Sequence, residues 1–164
     1  MKKIFYFKVF CTAFLFGKNV DELYGDRIEL LGVAFKDPLV LCQIFIAMFL
    51  IIVFCQSSMD KIFDRKGNLD FFEAHFSKTI FKNFTPYLLT IITVFELAGT
   101  LTLAYGVYYA FAERTTLWIF YGFVILSITL LFLLLGQRLA KDYVGAADLV
   151  PYFMLIMLGI MSMY

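Results

Sequence analysis

Charge, histidine and cysteine are all scarce in this chain, and each shortage narrows what it can be. Only 16% of the 164 residues are charged, 14 Lys and Arg against 13 Asp and Glu, for a net charge of +1. So small an excess offers no electrostatic footprint for nucleic acid. The single histidine, His75, cannot build a zinc or haem site alone, and no metal site is expected. The three cysteines, Cys11, Cys42 and Cys55, include no C-x-x-C pair. On one helix Cys42 and Cys55 stand about 20 Å apart at about 1.5 Å per residue, too far to bridge. No intrachain disulfide is expected; Cys11 with Cys42 is the one pair that distance leaves open.

What abounds is apolar surface. Hydrophobic residues make up 62% of the chain, and the mean hydropathy is +0.85. A soluble domain is about half apolar, so a water-soluble fold here would lack polar residues to cover its core. Lipid removes that difficulty. The expected fold is all-α: a polytopic membrane protein of one domain, 1–164, with four transmembrane helices in a bundle. The spans are expected at about 39–57, 87–111, 117–135 and 149–164. Pro38 and Pro86 stand where the first two open, a position that tolerates the missing N–H. Asp148 is the expected cap of the fourth, which puts Pro151 in its first turn. A tight connection at 112–116 makes the second and third spans antiparallel neighbours, and 137–148 is expected to be a polar crossing.

The long connection 58–85 carries Leu69, Phe72, Phe76, Ile80 and Phe84 at helical spacing, with Asp70, Glu73, Lys78 and Lys82 elsewhere. That periodicity predicts an amphipathic helix over 69–84, flat on the membrane with Phe72 and Phe76 inserted; a lid over a site between the helices is the other reading. Residues 1–37 form an N-terminal segment. Met1-Lys2-Lys3 followed by 4–17 mimics a signal peptide, but Lys8 interrupts it and no A-x-A-like site follows. Fourteen residues are few for spanning, so 4–17 is expected to be interfacial or re-entrant. Lys and Arg near the spans favour the connections after the first and third helices as cytoplasmic.

Chemistry concentrates at Glu96. It lies about 15 Å along the second span from Pro86, close to the expected midplane, where a carboxylate costs on the order of 3 kcal/mol. It must face the other helices and find donors, or stay protonated. Thr93 and Thr100 share its helix face, and the same depth on the third span falls near Ser127; these hydroxyls are the expected partners and substrate-binding groups. Glu96 is then either a hydrogen-bonded knot or a group that handles a proton or binds a polar head such as a quinone carbonyl. Glu96→Gln is expected to spare folding under either reading. No second intramembrane charge is expected. Gly99, Gly106, Gly122, Gly136 and Gly159 let helices approach closely. Asp60, Lys61, Arg138, Lys141 and Asp142 gather at one interface as a charged rim, either solvated or paired with headgroups, or a rim for docking or substrate entry.

Taken in order, these features resemble the DoxX family of small four-helix membrane proteins related to MauE. Lys61 followed by a Phe-rich stretch is similar to the family's G-x-x-K-plus-Phe segment. Phe95-Glu96-Leu97-Ala98-Gly99-Thr100-Leu101 resembles its E-x-x-G-x-L motif. Lys141 to Ala146 and Leu149 to Phe153 resemble the run into the fourth helix. Two departures stand out: Ser57-Ser58 replaces the family's glycine, and about 38 residues precede the first span. The resemblance implies an accessory subunit of a respiratory or quinone-linked redox or other bacterial membrane complex, in the cytoplasmic (inner) membrane. Its partners would be the bilayer and other membrane subunits, and its ligand a quinone or lipid rather than a cofactor held in the chain. Catalysis does not follow from such a resemblance, and a structural or assembly subunit without a ligand is the alternative. A cavity open to lipid beside Glu96 favours the first reading; a Glu96 fully satisfied by Thr and Ser favours the second.

Overall fold

The computed structural model describes residues 28–30, 33–35, 38–77, 79, 81–112 and 115–163. Segment 4–17, expected to be interfacial, lies outside the described residues, as do Cys11 and the pairing it leaves open. The chain divides into two compact units, 1–40 and 41–164. In the first, β1 (Ile28–Leu30) pairs antiparallel with β2 (Val33–Phe35), with Ile28 opposite Phe35 and Leu30 opposite Val33. This short ribbon was not expected from the sequence; two three-residue strands are too short to show a period of two.

The remaining regular structure among the described residues is helical: α1 (Pro38–Phe63), α2 (Arg65–His75), α3 (Thr85–Ala112), α4 (Leu117–Leu139) and α5 (Tyr143–Met161). Four of them, α1, α3, α4 and α5, are long and apolar enough to cross a membrane. At about 1.5 Å per residue they run from about 28 to 42 Å, against a hydrocarbon layer of about 30 Å. Their outward faces carry half-exposed Phe, Leu, Ile and Met that water would not tolerate, such as Ile52, Leu101, Phe132 and Met154.

Glycine decides which helices come closest. A Cβ on Gly106 of α3 would lie 2.6 Å from the backbone nitrogen of Ile119 in α4. One on Gly122 of α4 would meet Leu103 of α3, and one on Gly99 would meet Leu126. The two backbones therefore approach each other most closely around Gly106 and Gly122, as small residues permit where lipid gives no hydrophobic drive for association. α4 also packs on α5, where Gly159 receives the ring of Phe123. α1 contains no glycine and joins its neighbours through side chains. Phe49 stacks on Tyr152 of α5 at 6.5 Å, and Gln43 donates to the Ser162 carbonyl at 2.9 Å.

Three expectations about element ends need correction. The amphipathic helix is α2, over 65–75 rather than 69–84. Asp64 starts it by accepting from the Gly67 N–H at 3.1 Å. Beyond His75 the hydroxyls of Ser77 and Thr79 take the carbonyls of Ala74 and Phe76, and the chain turns. Phe76, expected to insert into lipid, is instead buried in the protein. α5 begins at Tyr143, capped by Asp142, whose carboxylate accepts from the Gly145 N–H at 2.9 Å, and not by Asp148. Pro151 consequently sits inside α5 on an exposed flank, a placement lipid-facing helices accommodate. The expected crossing at 137–148 shrinks to a tight turn at 140–142, with Lys141 in the left-handed region at φ 60°.

Candidate functional site

The inward stripe of α1 runs Gln43, Ile44, Ala47, Leu50, Phe54, Ser58, Lys61, at the three-and-four spacing of one helix face. α3 presents Thr85, Leu89, Thr93, Glu96, Gly99, Thr100, Leu103, Gly106 and Ala110 in the same rhythm. Each stripe ends or is interrupted by a charge, and the two charges meet. The Lys61 ammonium lies 3.0 and 3.1 Å from the two Glu96 oxygens, with the side chains only 10% and 1% exposed.

Ser57, one turn before Lys61, completes the cluster. Lys61 donates to the Ser57 hydroxyl at 2.6 Å and to the Ser57 carbonyl at 3.2 Å. The hydroxyl donates in turn to Glu96, at 3.3 and 3.4 Å from its two oxygens. All three ammonium protons thus have acceptors, and the carboxylate has two donor groups. This overturns the expectation that Glu96 has no charged companion. A first span ending at Ser57 leaves Lys61 in the charged rim beyond it. α1 in fact continues to Phe63 and carries Lys61 round to the buried face. The visible signal was the stripe itself, which reaches Lys61 if followed three residues past Ser58.

The hydroxyls expected to serve Glu96 are occupied elsewhere. Thr93 donates to the Leu89 carbonyl, Thr100 to the backbone carbonyl of Glu96, and Ser127 to the Phe123 carbonyl. Each bonds four residues back along its own helix, the habit of Ser and Thr within apolar helices. The register differs too. The pairings Gly99–Leu126, Leu103–Gly122 and Gly106–Ile119 step evenly along α3 and α4 and bring Glu96 level with Thr129, two residues from Ser127. Along α3, Glu96 lies about 16 Å from Thr85 and about 24 Å from Ala112, and exposed Arg65 donates to the Thr90 hydroxyl at 2.7 Å, tying α2 to α3.

Of the other members of the expected rim, Arg138, Lys141 and Asp142 are at the α4–α5 turn, while Asp60 stays exposed on α1. Arg138 lies over the Tyr143 ring at 4.9 Å, and Asp142 caps α5. His75, at the end of α2, joins them: its Nε2 is 2.9 Å from Gln137 Oε1 and 3.9 Å from Asp142 Oδ2. That contact ties α2 to α4.

Between these two clusters lies a cavity of about 280 Å³. Lys61 forms one wall; Phe72, Phe76 and Phe81 roof it; Leu89 and Ile92 of α3 and Leu133, Gly136 and Gln137 of α4 form the rest. Phe72 and Phe76 lie nearly parallel at 6.1 Å, and Phe81 meets Phe76 edge-on at 6.1 Å. Ile91, Phe132 and Leu135 also border the cavity, and they are 51%, 53% and 51% exposed. The mouth therefore opens on the outward flank between α3 and α4, the flank that would face lipid. Lys61 is the one charged side chain lining the cavity among the described residues, and Glu96 stands behind it. No group of three or more His, Cys, Asp or Glu that could hold a metal exists among the described residues.

Compared with known proteins, the chain matches no family model, no curated protein and no solved structure.

Proposed function

We propose that this protein is a membrane subunit that binds an amphiphilic ligand, a quinone or a lipid, entering sideways from the bilayer into the cavity beside Lys61. The observation that carries the reading is the position of Lys61: a buried ammonium, held in place from behind by Glu96 and Ser57, faces an aromatic-lined apolar space. Ligand sites are typically apolar with a few placed polar groups, and this space falls just short of their size range of about 300 to 1,000 Å³, room for one head or chain segment. On this reading α2 lies along the membrane surface and, with Phe76 and Phe81, covers the site. Lys61 and Glu96, which bear two of the motifs likened to the DoxX family, are brought into one ion pair; an accessory role in a quinone-linked redox or other bacterial membrane complex is what that resemblance adds to the proposal. The test is purification of the full chain in mild detergent, with extraction and mass spectrometry of bound quinones and lipids and of co-purifying subunits. Leu89→Trp, which fills the cavity, should abolish the bound amphiphile while leaving the fold intact. Equal recovery from both forms would place the amphiphile elsewhere.

One observation favours a second reading, a clasp with no ligand. The ion pair is fully satisfied within the chain, and it pins glycine-free α1 to α3. If the purified full chain carries no bound amphiphile and replacing Lys61 or Glu96 alters only its stability, the clasp reading stands.

A further inference from the structure

We infer that the cavity selects an amphiphile whose head is an uncharged hydrogen-bond acceptor, a carbonyl or a hydroxyl, and rejects both anionic and cationic heads. The inference rests on the cavity being a ligand site, and it concerns the charge that site offers. Lys61 alone would attract a carboxylate or phosphate. Its charge, however, is already met by Glu96 at 3.0 Å, so the pair presents a dipole and not a net positive charge. An anionic head drawn against Lys61 would enter a water-poor space already holding Glu96, with no further cation lining the cavity among the described residues. Burying a charge without a compensating partner is strongly unfavourable in such surroundings. A cationic head fares no better, because the charge on the cavity wall is the ammonium while the carboxylate lies behind it.

A neutral acceptor meets neither obstacle. The longest bond of the ammonium, 3.2 Å to the Ser57 carbonyl, is the one a ligand oxygen could replace while Glu96 and the Ser57 hydroxyl keep Lys61 in position. Glu96 is thus a specificity-determining residue that acts through Lys61 without touching the ligand.

The experiment places a reporter in the cavity roof, Phe72→Trp, in a Trp118→Phe background, and follows fluorescence quenching in detergent micelles. The probes are three terminally brominated amphiphiles of equal chain length: bromododecanol, bromododecanoate at a pH where it is ionised, and bromododecyl-trimethylammonium. Saturable quenching by the alcohol at a mole fraction at least about tenfold lower than either charged probe is expected, a modest share of what a second charge at such separations would produce. Glu96→Gln, which uncovers the Lys61 charge, should reverse the order of alcohol and carboxylate. Should that variant not fold, Lys61→Met with Glu96→Leu gives the complementary readout. With neither donor nor charge, it should bind the alcohol no better than bromododecane. Saturable quenching by alcohol and carboxylate alike in the unaltered pair would overturn the charge selection and leave the cavity as a site. Absence of saturable quenching by any probe would instead remove the ligand site on which the inference rests.

Discussion

Lys61→Met is the perturbation that tests the centre of this structure most directly. Methionine has a similar length and suits an apolar helix, so packing changes little, while Glu96 keeps its burial and loses its counter-charge. Breaking one side of a buried ion pair costs about 3–5 kcal/mol. Ser57 would remain as the sole donor, and its bonds to Glu96, at 3.3 and 3.4 Å, are too long to offset that loss. Glu96→Leu strands Lys61 in the same way, and its three donors would retain only the Ser57 hydroxyl and carbonyl. The double variant removes both charges together and should return to within about 1–2 kcal/mol of the original, since apolar replacement of a whole buried pair is often neutral. The assay is reversible unfolding of the purified protein in mixed micelles, with all four forms compared in a double-mutant cycle. A coupling energy of about 3 kcal/mol or more is expected. If the double variant is as unstable as the sum of the singles, the two side chains do not act as a pair and the site as described is wrong. The cycle also revises an expectation drawn from sequence alone. Glu96→Gln looks innocuous for an isolated protonated acid, but opposite Lys61 it leaves an ammonium unbalanced and should lower stability measurably.

Gly106→Ala should destabilise by at least about 1–3 kcal/mol, because the new methyl meets the Ile119 backbone at 2.6 Å. Gly136→Ala, with only the Phe76 ring at 3.3 Å, should be tolerated; comparative thermal unfolding separates the two. Asp142→Ala should cost about 0.5–2 kcal/mol through loss of the α5 cap, and Asp148→Ala nearly nothing; equal effects would contradict the α5 start at Tyr143. Thr93→Val and Ser127→Ala should leave stability within about 1 kcal/mol, since their hydroxyls serve their own helices. A large loss from either would restore them as partners of Glu96.

Much of the architecture is written in the order of residues because lipid imposes a local rule. A segment in hydrocarbon must satisfy its own backbone, so an apolar run about 20 residues long has one outcome, a helix. The positions of α1, α3, α4 and α5, the inward glycines and the singular standing of Glu96 all follow from that rule. Helix ends obey a weaker one. Asp64 and Asp142 cap because their carboxylates reach free N–H groups three residues on, but Asp148 had the same composition in its favour and only the turn geometry at 140–142 chose between them. Side-chain partnership obeys no local rule at all. Thr93, Thr100 and Ser127 were near Glu96 in sequence and depth, yet each hydroxyl had a carbonyl of its own helix within reach. Lys61 is 35 residues away from Glu96, and it arrives there because α1 runs six residues beyond Ser57 and turns that face inward. The chain's sequence determined that a charge would be buried in this membrane domain; which opposite charge would meet it depended on how two helices lie against each other, because an ion pair is formed by distance in space and is indifferent to distance along the chain.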